Sequence, residues 1–211
     1  MSKKRAKKIK LLLFDVDGVL TDGKLYIFPA PAGVQQSIFS KHHASKHADQ
    51  GGFGLHSESY IEAKGFHAHD GTSISLARLA GIRTGLITKR ISETVALRAR
   101  DLKLEFVYQG IQDKLTVFEE IIKKAGIKAA EAAFVGDDVI DLPVMRNCGF
   151  AIAVANARDE VKEEAHYVTP HSGGDGALRD AVEYILKAQG TWKQVMEKYI
   201  GERSPKKAVS T

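Results

Sequence analysis

Wholly apolar runs alternate along this chain with stretches of helical spacing, and that alternation restricts the fold more than any other feature. Five runs are long enough for buried strands, and a shorter one follows them: "IKLLLFDV", "IRTGLIT", "LEFVYQG", "AAFVGDD", "FAIAVA" and "HYVT". Strands that are apolar along their whole length need cover on both faces, as in a parallel sheet between two layers of helices. We therefore predict an α/β fold of three layers, a Rossmann-like parallel sheet with helices on both faces.

Between the predicted strands, apolar residues recur at helical spacing in four stretches. These cover residues 72–80, 92–102, 114–125 and 178–186. Ser92 is the predicted N-cap of the second helix, and Gly126 is placed to end the third.

The stretch from Pro29 to Ser59 breaks this rhythm, because it is rich in proline, glycine and serine and carries four of the eight histidines. Its flanks, "LYIF" and "YIEAKGFHAHDG", predict a hairpin with a long, poorly ordered insertion at about residues 25–68. His42, His43 and His47 form a pattern that could bind a transition metal. No helical periodicity supports their spacing and no carboxylate or thiolate set completes it, so we interpret them as part of a solvent-exposed loop.

One domain is expected from a length of 211 residues. It spans residues 10–190, with a basic tail at 1–9 before it and a C-terminal helix and tail at 191–211 after it. Basic residues exceed acidic ones by 31 − 26 = 5, and the basic residues among the first ten outnumber that surplus. Because the tail lacks interleaved aromatic residues and an amphipathic face, we predict a disordered, solvated segment rather than an arm for nucleic acid or membrane.

Several absences bear on the location of the protein. No apolar stretch approaches the roughly 20 residues of a membrane span, and the basic N-terminal segment lacks the apolar core of a secretory signal. The single cysteine, Cys148, excludes an internal disulfide framework and is expected to be a buried structural thiol. We expect a cytoplasmic protein with neither a nucleic-acid nor a membrane partner.

Polar clusters follow three of the predicted strands at the point where each strand ends. They are Asp15 with Asp17, the segment 88–90, and Asp137 with Asp138 and Asp141. Ligands of parallel α/β sheets bind beyond the carboxyl ends of the strands, so these clusters predict one site. Converging carboxylates without thiolates or clustered imidazoles suit a hard cation such as Mg²⁺, which in turn suits a phosphate substrate.

Two carboxylates separated by one residue can divide the chemistry of phosphate transfer. Asp15 would attack phosphorus as the nucleophile, while Asp17 would act as general acid and then as general base. Lys114, at the start of a predicted helix, could neutralise both the phosphate and the nucleophile, and the Thr88 hydroxyl could donate to a phosphoryl oxygen.

Four ordered motifs, "DVDGVLTDG", "LITKR", "QDK" and "GDDVIDLPVM", resemble those of the haloacid dehalogenase superfamily of phosphatases. More narrowly, the chain resembles the small capless phosphatases that hydrolyse 3-deoxy-D-manno-octulosonate 8-phosphate, in "GVLTDGKLY", "HDGTSISLARLAGI", "YQGIQDK", "GDDVIDLPVM" and "GGDGALRDAVEYILKAQG". The resemblance covers residues 10 to about 190 except the insertion. It implies a small β-hairpin in place of a cap domain.

The resemblance also implies roles for individual residues. Asp15 would be nucleophile and magnesium ligand, Asp17 the acid/base that also lends its backbone carbonyl to the metal, and Asp137 the remaining protein ligand. Asp138 and Asp141 would contact the metal ligands without binding the metal themselves, and Thr88 and Lys114 would hold the phosphoryl group. An aspartate at position 17 suits ester hydrolysis, because the ion-pumping members of the superfamily carry threonine there.

Substrate contacts and assembly follow from the same resemblance. Arg90 would contact the substrate carboxylate, although Lys89 stands where relatives usually carry glycine. His69 would contact the substrate or lie on the surface, and Arg179 would reach the substrate or a neighbouring subunit. A homotetramer is implied, assembled in part by the hairpins.

The predicted function is magnesium-dependent hydrolysis of 3-deoxy-D-manno-octulosonate 8-phosphate through an aspartyl-phosphate, a step of lipopolysaccharide precursor synthesis. One alternative is a phosphatase for the 9-phosphate of a nine-carbon, sialic-type sugar acid. The other is a non-catalytic binding or regulatory protein on the same fold, which should have lost Asp15, Asp17 or Lys114. All three residues are present.

Overall fold

A computed structural model describes residues 2–30, 53–54 and 60–203. Its ten strands are β1 (Leu11–Phe14), β2 (Tyr26–Pro29), β3 (Phe53–Gly54), β4 (Tyr60–Ala63), β5 (Arg83–Ile87), β6 (Arg90–Ile91), β7 (Phe106–Tyr108), β8 (Ala132–Gly136), β9 (Phe150–Ala153) and β10 (Tyr167–Val168). The eight α-helices are α1 (Ser2–Ala6), α2 (Ala68–Leu79), α3 (Glu93–Asp101), α4 (Lys114–Ala125), α5 (Leu142–Asn147), α6 (Asp159–Glu164), α7 (Ala177–Gln189) and α8 (Trp192–Arg203).

Six of the strands form one parallel sheet in the order β10-β9-β8-β1-β5-β7. Strand β1 lies at its centre with all four residues buried, as its apolar sequence predicts. The chain runs from β1 through β5 to β7 toward one edge of the sheet, and from β8 through β9 to β10 toward the other edge. Because the connections between parallel strands are right-handed, the helices of these two halves lie on opposite faces of the sheet. One group of contacting helices is α1, α2, α7 and α8, and the other is α4, α5 and α6. The predicted three-layer fold is confirmed.

Local signals in the sequence set several helix ends. Ser92 caps α3 by accepting a hydrogen bond from the Val95 amide, and Asp113 caps α4 by accepting one from the Thr116 amide. Gly126 ends α4 in the left-handed conformation, as predicted. Cys148 is buried beside α5, and burial raises the pKa of its thiol to about 11, which fits a structural role.

The expectation of a disordered tail at residues 1–9 is wrong for the part that the structure describes. Residues Ser2–Ala6 form α1, with Ala6 and Ile9 buried in the core. The Ser2 hydroxyl donates to the His166 carbonyl, and the Arg5 guanidinium donates to that of Gly149. Two apolar contacts and these hydrogen bonds hold the segment against the body, while its lysines face solvent.

The predicted hairpin is confirmed, since β2 and β4 pair antiparallel as a separate two-stranded sheet. Most of the insertion, with His42, His43 and His47, lies outside the described residues. Within the described part, Phe53–Gly54 pairs in parallel with Arg90–Ile91, next to the carboxyl end of β5. Each helix among the described residues is too short or too polar to span a bilayer.

Candidate active site

Three neighbouring strands of the central sheet end at the same edge and deliver polar residues there. Strands β1 and β8 pair in register, so that Asp15 and Asp137 follow adjacent strand ends. The Asp15 amide continues this ladder with a 3.0 Å hydrogen bond to the Val135 carbonyl. Thr88 follows β5 on the other side of β1, where backbone hydrogen bonds to Tyr108 and Ile111 hold it in a buried position. Asp15, Thr88 and Asp137 thus follow three neighbouring strand ends at one edge of the sheet.

An acidic triad occupies this edge. Asp15, Asp137 and Asp141 each offer a carboxylate oxygen, and these oxygens lie within 4.8 Å of one another. Gly18 allows Asp137 to approach, because its φ is +87° and a Cβ there would lie 2.1 Å from Asp137 Oδ2. The triad therefore depends on a glycine in the loop after β1.

Lys114, at the start of α4, is the cation placed among these carboxylates. Its Nζ lies 2.8 Å from Asp15 Oδ2 and 2.7 Å from Asp141 Oδ1, and its side chain is fully buried. Burial alone would lower the pKa of this ammonium, but the charges of Asp141 and Asp15 outweigh burial and raise it. Lys114 is thus held as a cation against the candidate nucleophile.

The protein supplies less positive charge here than the carboxylates require. Burial raises the pKa of Asp15 from its ordinary 3.8 to about 6, with Lys114 opposing the rise and Asp141 adding to it. Burial and the charges of Asp15 and Asp141 raise the pKa of Asp137 from 3.8 to about 8. A cation bound among these oxygens would relieve the repulsion that produces both shifts.

The hydrogen bonds separate the candidate metal ligands from their support. Asp141 uses one oxygen on Lys114 and the other on the Asp137 amide, at 3.0 Å. Asp137 Oδ1 is buried and, within the described residues, has no hydrogen-bond partner. An unpartnered buried carboxylate oxygen beside Asp15 fits a divalent metal, and Asp141 fits the supporting position predicted for it.

The Asp17 carboxylate contacts two cations that lie outside the triad. Lys64, just after β4, donates to Asp17 Oδ1, and Arg90 Nε lies 3.6 Å from Asp17 Oδ2. Glu62 contacts both cations, with its Oε1 3.0 Å from Lys64 Nζ and 3.9 Å from Arg90. Sequence reasoning missed Lys64 and Glu62, although their spacing of two residues at the end of a strand places them on one face.

Of the remaining predicted site residues, Asp138 contacts the triad through Asp141. The exposed Asp138 carboxylate accepts from the Val139 amide and forms a capping box with Asp141 at the start of a short 3₁₀ helix, and the Asp138 carbonyl accepts from the Asp141 amide at 2.9 Å. His69 is exposed and packs edge-on against His67 at 4.8 Å. The Arg179 side chain pairs with Glu183 at 2.6 Å and lies over the Trp192 ring. Contact of His69 or Arg179 with a substrate stays a prediction.

Asp70 is a further residue that sequence reasoning missed. It is fully buried in the first turn of α2 and accepts hydrogen bonds from the amides of Gly176 and Arg179, at the start of α7. Burial raises its pKa despite these bonds. The preceding Gly173 and Gly174 pack directly on the loop after β1, where a Cβ on Gly173 would lie 1.7 Å from the Gly18 carbonyl oxygen. Asp70 thus holds the loop that supports Gly18.

The fold and this site define a haloacid dehalogenase-like phosphatase. A family model described as haloacid dehalogenase-like hydrolase matches residues 84–179. The chain is 35% identical over 186 residues to the 3-deoxy-D-manno-octulosonate 8-phosphate phosphatase KdsC of Escherichia coli K12, which covers 88% of this chain and 84% of the relative. The chain belongs to the 3-deoxy-D-manno-octulosonate 8-phosphate phosphatase family and is a phosphoric monoester hydrolase of that type.

Solved structures give the same assignment. The Moraxella catarrhalis phosphatase of this name, in complex with magnesium ion, phosphate ion and KDO, is 32% identical, with a TM-score of 0.76 over 93% of this chain and 97% of that one. The cobalt-bound Haemophilus influenzae phosphatase is 31% identical, with a TM-score of 0.73 over 92% and 99% of the two chains. The family recognised from the motifs is confirmed.

Proposed function

We propose that this protein is a magnesium-dependent phosphatase that hydrolyses 3-deoxy-D-manno-octulosonate 8-phosphate to the free sugar acid and phosphate. It would act in the cytoplasm and supply a precursor of lipopolysaccharide. The observation that carries the proposal is the buried Lys114, which bridges Asp15 and Asp141 beside Asp137, whose buried Oδ1 has no hydrogen-bond partner among the described residues. The name and bound molecules of the Moraxella relative support the choice of metal and substrate.

Asp15, Asp137 and the backbone carbonyl of Asp17 would hold the magnesium ion, with Asp141 orienting Asp137 through its amide. When bound, the ion supplies positive charge to the phosphate oxygens and to the carboxylates that repel one another. The elevated pKa values of Asp15 and Asp137 support this assignment, because each reports a shortage of positive charge.

Catalysis has two chemical steps, formation and hydrolysis of an aspartyl-phosphate, and residues of the chain have separate roles in each. An Asp15 oxygen attacks phosphorus, and the bond from phosphorus to the sugar oxygen breaks with its electron pair on that oxygen, which takes a proton from Asp17. Water then attacks the aspartyl-phosphate and gives a proton to Asp17, while the bond between phosphorus and Asp15 breaks. Lys114 and the Thr88 hydroxyl hold the phosphoryl oxygens during both steps.

An acidic sugar phosphate suits the cations at the mouth of this site. Among the described residues, the buried Arg90 Nε has no hydrogen-bond partner, and its nearest carboxylate oxygen is 3.6 Å away on Asp17. A substrate carboxylate would complete the hydrogen bonding of this guanidinium. His69 and Arg179 are proposed as further contacts, from the same substrate or from a neighbouring subunit.

We also propose a homotetramer that uses the hairpin. Six large apolar side chains of this element are 36–50% exposed: Leu25, Tyr26, Ile27, Phe28, Tyr60 and Ile61. The strand register places Tyr26, Phe28 and Ile61 on one face and Ile27 and Tyr60 on the other, and an exposed apolar face such as the first is typical of protein interfaces.

A phosphate-release screen tests the proposed function. Purified full-length protein with Mg²⁺ is assayed on 3-deoxy-D-manno-octulosonate 8-phosphate, a nine-carbon sialic-type 9-phosphate and neutral sugar phosphates, and specificity constants are compared. We expect the eight-carbon acid to have the highest kcat/KM and chelation of the metal to stop turnover. A higher kcat/KM for neutral sugars would contradict the proposed substrate class.

The matched variants in this screen are Asp15→Asn and Asp159→Asn. Asp15→Asn should reduce turnover to background because it removes the nucleophile. Asp159, on α6, has a side chain that is 92% exposed, so its replacement should leave turnover unchanged. Retained turnover in Asp15→Asn would rule out the aspartyl-phosphate route.

A further inference from the structure

Four charged side chains form a closed ring at the mouth of the site. Lys64 binds Asp17 Oδ1, Arg90 faces Asp17 Oδ2, and Glu62 contacts both cations from the opposite side. The ring contains two positive and two negative groups and joins the hairpin to β6 and to the loop after β1. We call these residues, Glu62, Lys64, Arg90 and Asp17, the charge ring.

The two cations of the ring hold Asp17 with unequal strength. The Lys64 side chain is fully buried, and its ammonium contacts both Asp17 and Glu62. A buried lysine is costly unless it is paired, and here Asp17 accepts a hydrogen bond from the ammonium while Glu62 Oε1, 3.0 Å away, pairs with it by charge and not by a hydrogen bond. Arg90, at 3.6 Å from Asp17 Oδ2, is beyond hydrogen-bonding distance. Asp17 is therefore held firmly at Oδ1 and loosely at Oδ2.

We propose that Lys64 is a positioning residue for Asp17, and that Glu62 fixes Lys64 for this purpose. Lys64 holds Oδ1, so that Oδ2 is the oxygen that gives its proton to the departing sugar oxygen. The substrate carboxylate draws Arg90 away from Oδ2 and leaves that oxygen free for the transfer. The inference rests on the proposed function, since it assigns support to the general acid of that reaction.

The orientation of Asp17 matters most for esters with a poor leaving group. A sugar alkoxide needs a proton as its bond to phosphorus breaks, whereas p-nitrophenolate leaves without one. Loss of the positioning residue should therefore slow hydrolysis of a sugar phosphate far more than hydrolysis of p-nitrophenyl phosphate. A purely structural role for Lys64 would slow both substrates by the same factor.

The test compares kcat/KM of Lys64→Met on 3-deoxy-D-manno-octulosonate 8-phosphate and on p-nitrophenyl phosphate, with Mg²⁺ present, because kcat/KM reports formation of the aspartyl-phosphate and excludes its later hydrolysis, which is common to both substrates. We expect kcat/KM for the sugar phosphate to fall by about 100-fold, the lower range of general acid catalysis. On p-nitrophenyl phosphate, kcat/KM should fall by less than about 5-fold, because that leaving group needs no proton. Lys64→Arg, which keeps a cation, should recover part of the sugar phosphate rate. Equal losses on the two substrates would overturn the proposal.

Glu62→Gln gives a second test, because it removes the charge beside Lys64 without removing the buried lysine itself. The activity loss should be smaller than in Lys64→Met but again larger for the sugar phosphate than for p-nitrophenyl phosphate. Equal losses of activity on both substrates would again overturn the proposal. Lys10→Met is the matched control, because Lys10 pairs with Glu131 on the surface and its side chain is 63% exposed. Wild-type turnover of the two substrates tests the proposed function separately, since it does not depend on Lys64.

Discussion

At the scale of single residues, Asp137 is the carboxylate whose ionisation is most disfavoured. Its pKa of about 8, with that of Asp15 at about 6, lies above the ordinary 3.8 because both groups are buried and face other carboxylates. In the unfolded chain both ionise near pH 4, whereas in the folded chain they keep their protons to higher pH. Stability from these groups is therefore complete below about pH 4 and is lost as pH rises through 6 and then 8.

This linkage predicts how magnesium stabilises the protein. Mg²⁺ binds ionised carboxylates and offsets the repulsion that grows with pH. At one fixed magnesium concentration, the rise in Tm over a chelated sample should be larger at pH 8 than at pH 6. Differential scanning fluorimetry checks this, and Asp137→Asn should remove most of the difference. An equal rise in Tm on adding Mg²⁺ at pH 6 and at pH 8 in the wild type would contradict the assignment of Asp137 as a metal ligand.

Lys114 gives a second prediction, for stability. Lys114→Met leaves Asp15 and Asp141 buried with no counter-charge, and breaking a buried pair on one side costs about 3–5 kcal/mol. Chemical denaturation without metal should show this loss in the free energy of unfolding. Lys124→Met, on the same helix but with a 52% exposed side chain, should change it by less than about 0.5 kcal/mol. A similar change in both variants would mean that the buried charges do not interact as described.

Residues that follow strand ends were the ones that the sequence predicted well. Asp15, Thr88 and Asp137 could be placed together because a parallel sheet brings strand ends to one edge, whatever the details of packing. Lys64 and Asp70 could not, because their partners depend on where the hairpin and α7 dock against the sheet. No local pattern encodes those docking positions.

At the scale of secondary structure, the start of α7 depends on one side chain from another helix. Gly176, the N-cap position of α7, has no side chain to satisfy the first amides, and Asp70 accepts from the Gly176 and Arg179 amides instead. The aspartate of the "HDG" motif on α2 therefore caps the start of α7. Because the capping residue is distant in sequence from α7, the sequence of α7 itself gives no indication of this cap.

Asp70→Ala should therefore cost about 1–2 kcal/mol of the free energy of unfolding, the range for loss of a helix cap. It should also lower kcat, because the loop that Asp70 holds packs on Gly18 and, through it, on Asp137. Denaturation and steady-state kinetics measure the two effects. Asp101→Ala is the control, since its carboxylate pairs with Arg98 on the surface. Unchanged stability in Asp70→Ala would contradict the capping role.

The wrong prediction of a disordered tail at residues 1–9 also has its cause at the scale of secondary structure. The composition of residues 1–10 is dominated by lysine, which predicts a solvated segment, and among the described residues 2–10 only Ala6 and Ile9 are buried. Two apolar positions are too few to produce a helical pattern. The helix is stabilised by contacts with β9 and α7, which lie far along the chain.

At the scale of the whole molecule, the hairpin is the element with the most exposed apolar surface among the described residues. Within residues 2–30, 53–54 and 60–203, strands β2 and β4 pair only with each other, and β2 is exposed along its whole length. A two-stranded hairpin is marginal in water on its own, so an element of this kind gains most from association. The register pairs Phe28 with Ile61 and Ile27 with Glu62, which gives the hairpin one wholly apolar face and one face that carries the charge ring.

Substitution on the apolar face should therefore change assembly without touching the ring. We expect wild-type protein to have the mass of a tetramer by light scattering, and Phe28→Glu with Ile61→Glu to shift the mass toward that of a monomer. The two glutamate carboxylates introduced by these substitutions would lose their hydration in an interface through this face, which costs several kcal/mol per buried ion. Leu97→Glu, at an equally exposed apolar position on α3, should leave the mass unchanged. A wild-type monomer, or a hairpin variant with unaltered mass, would contradict assembly through this face.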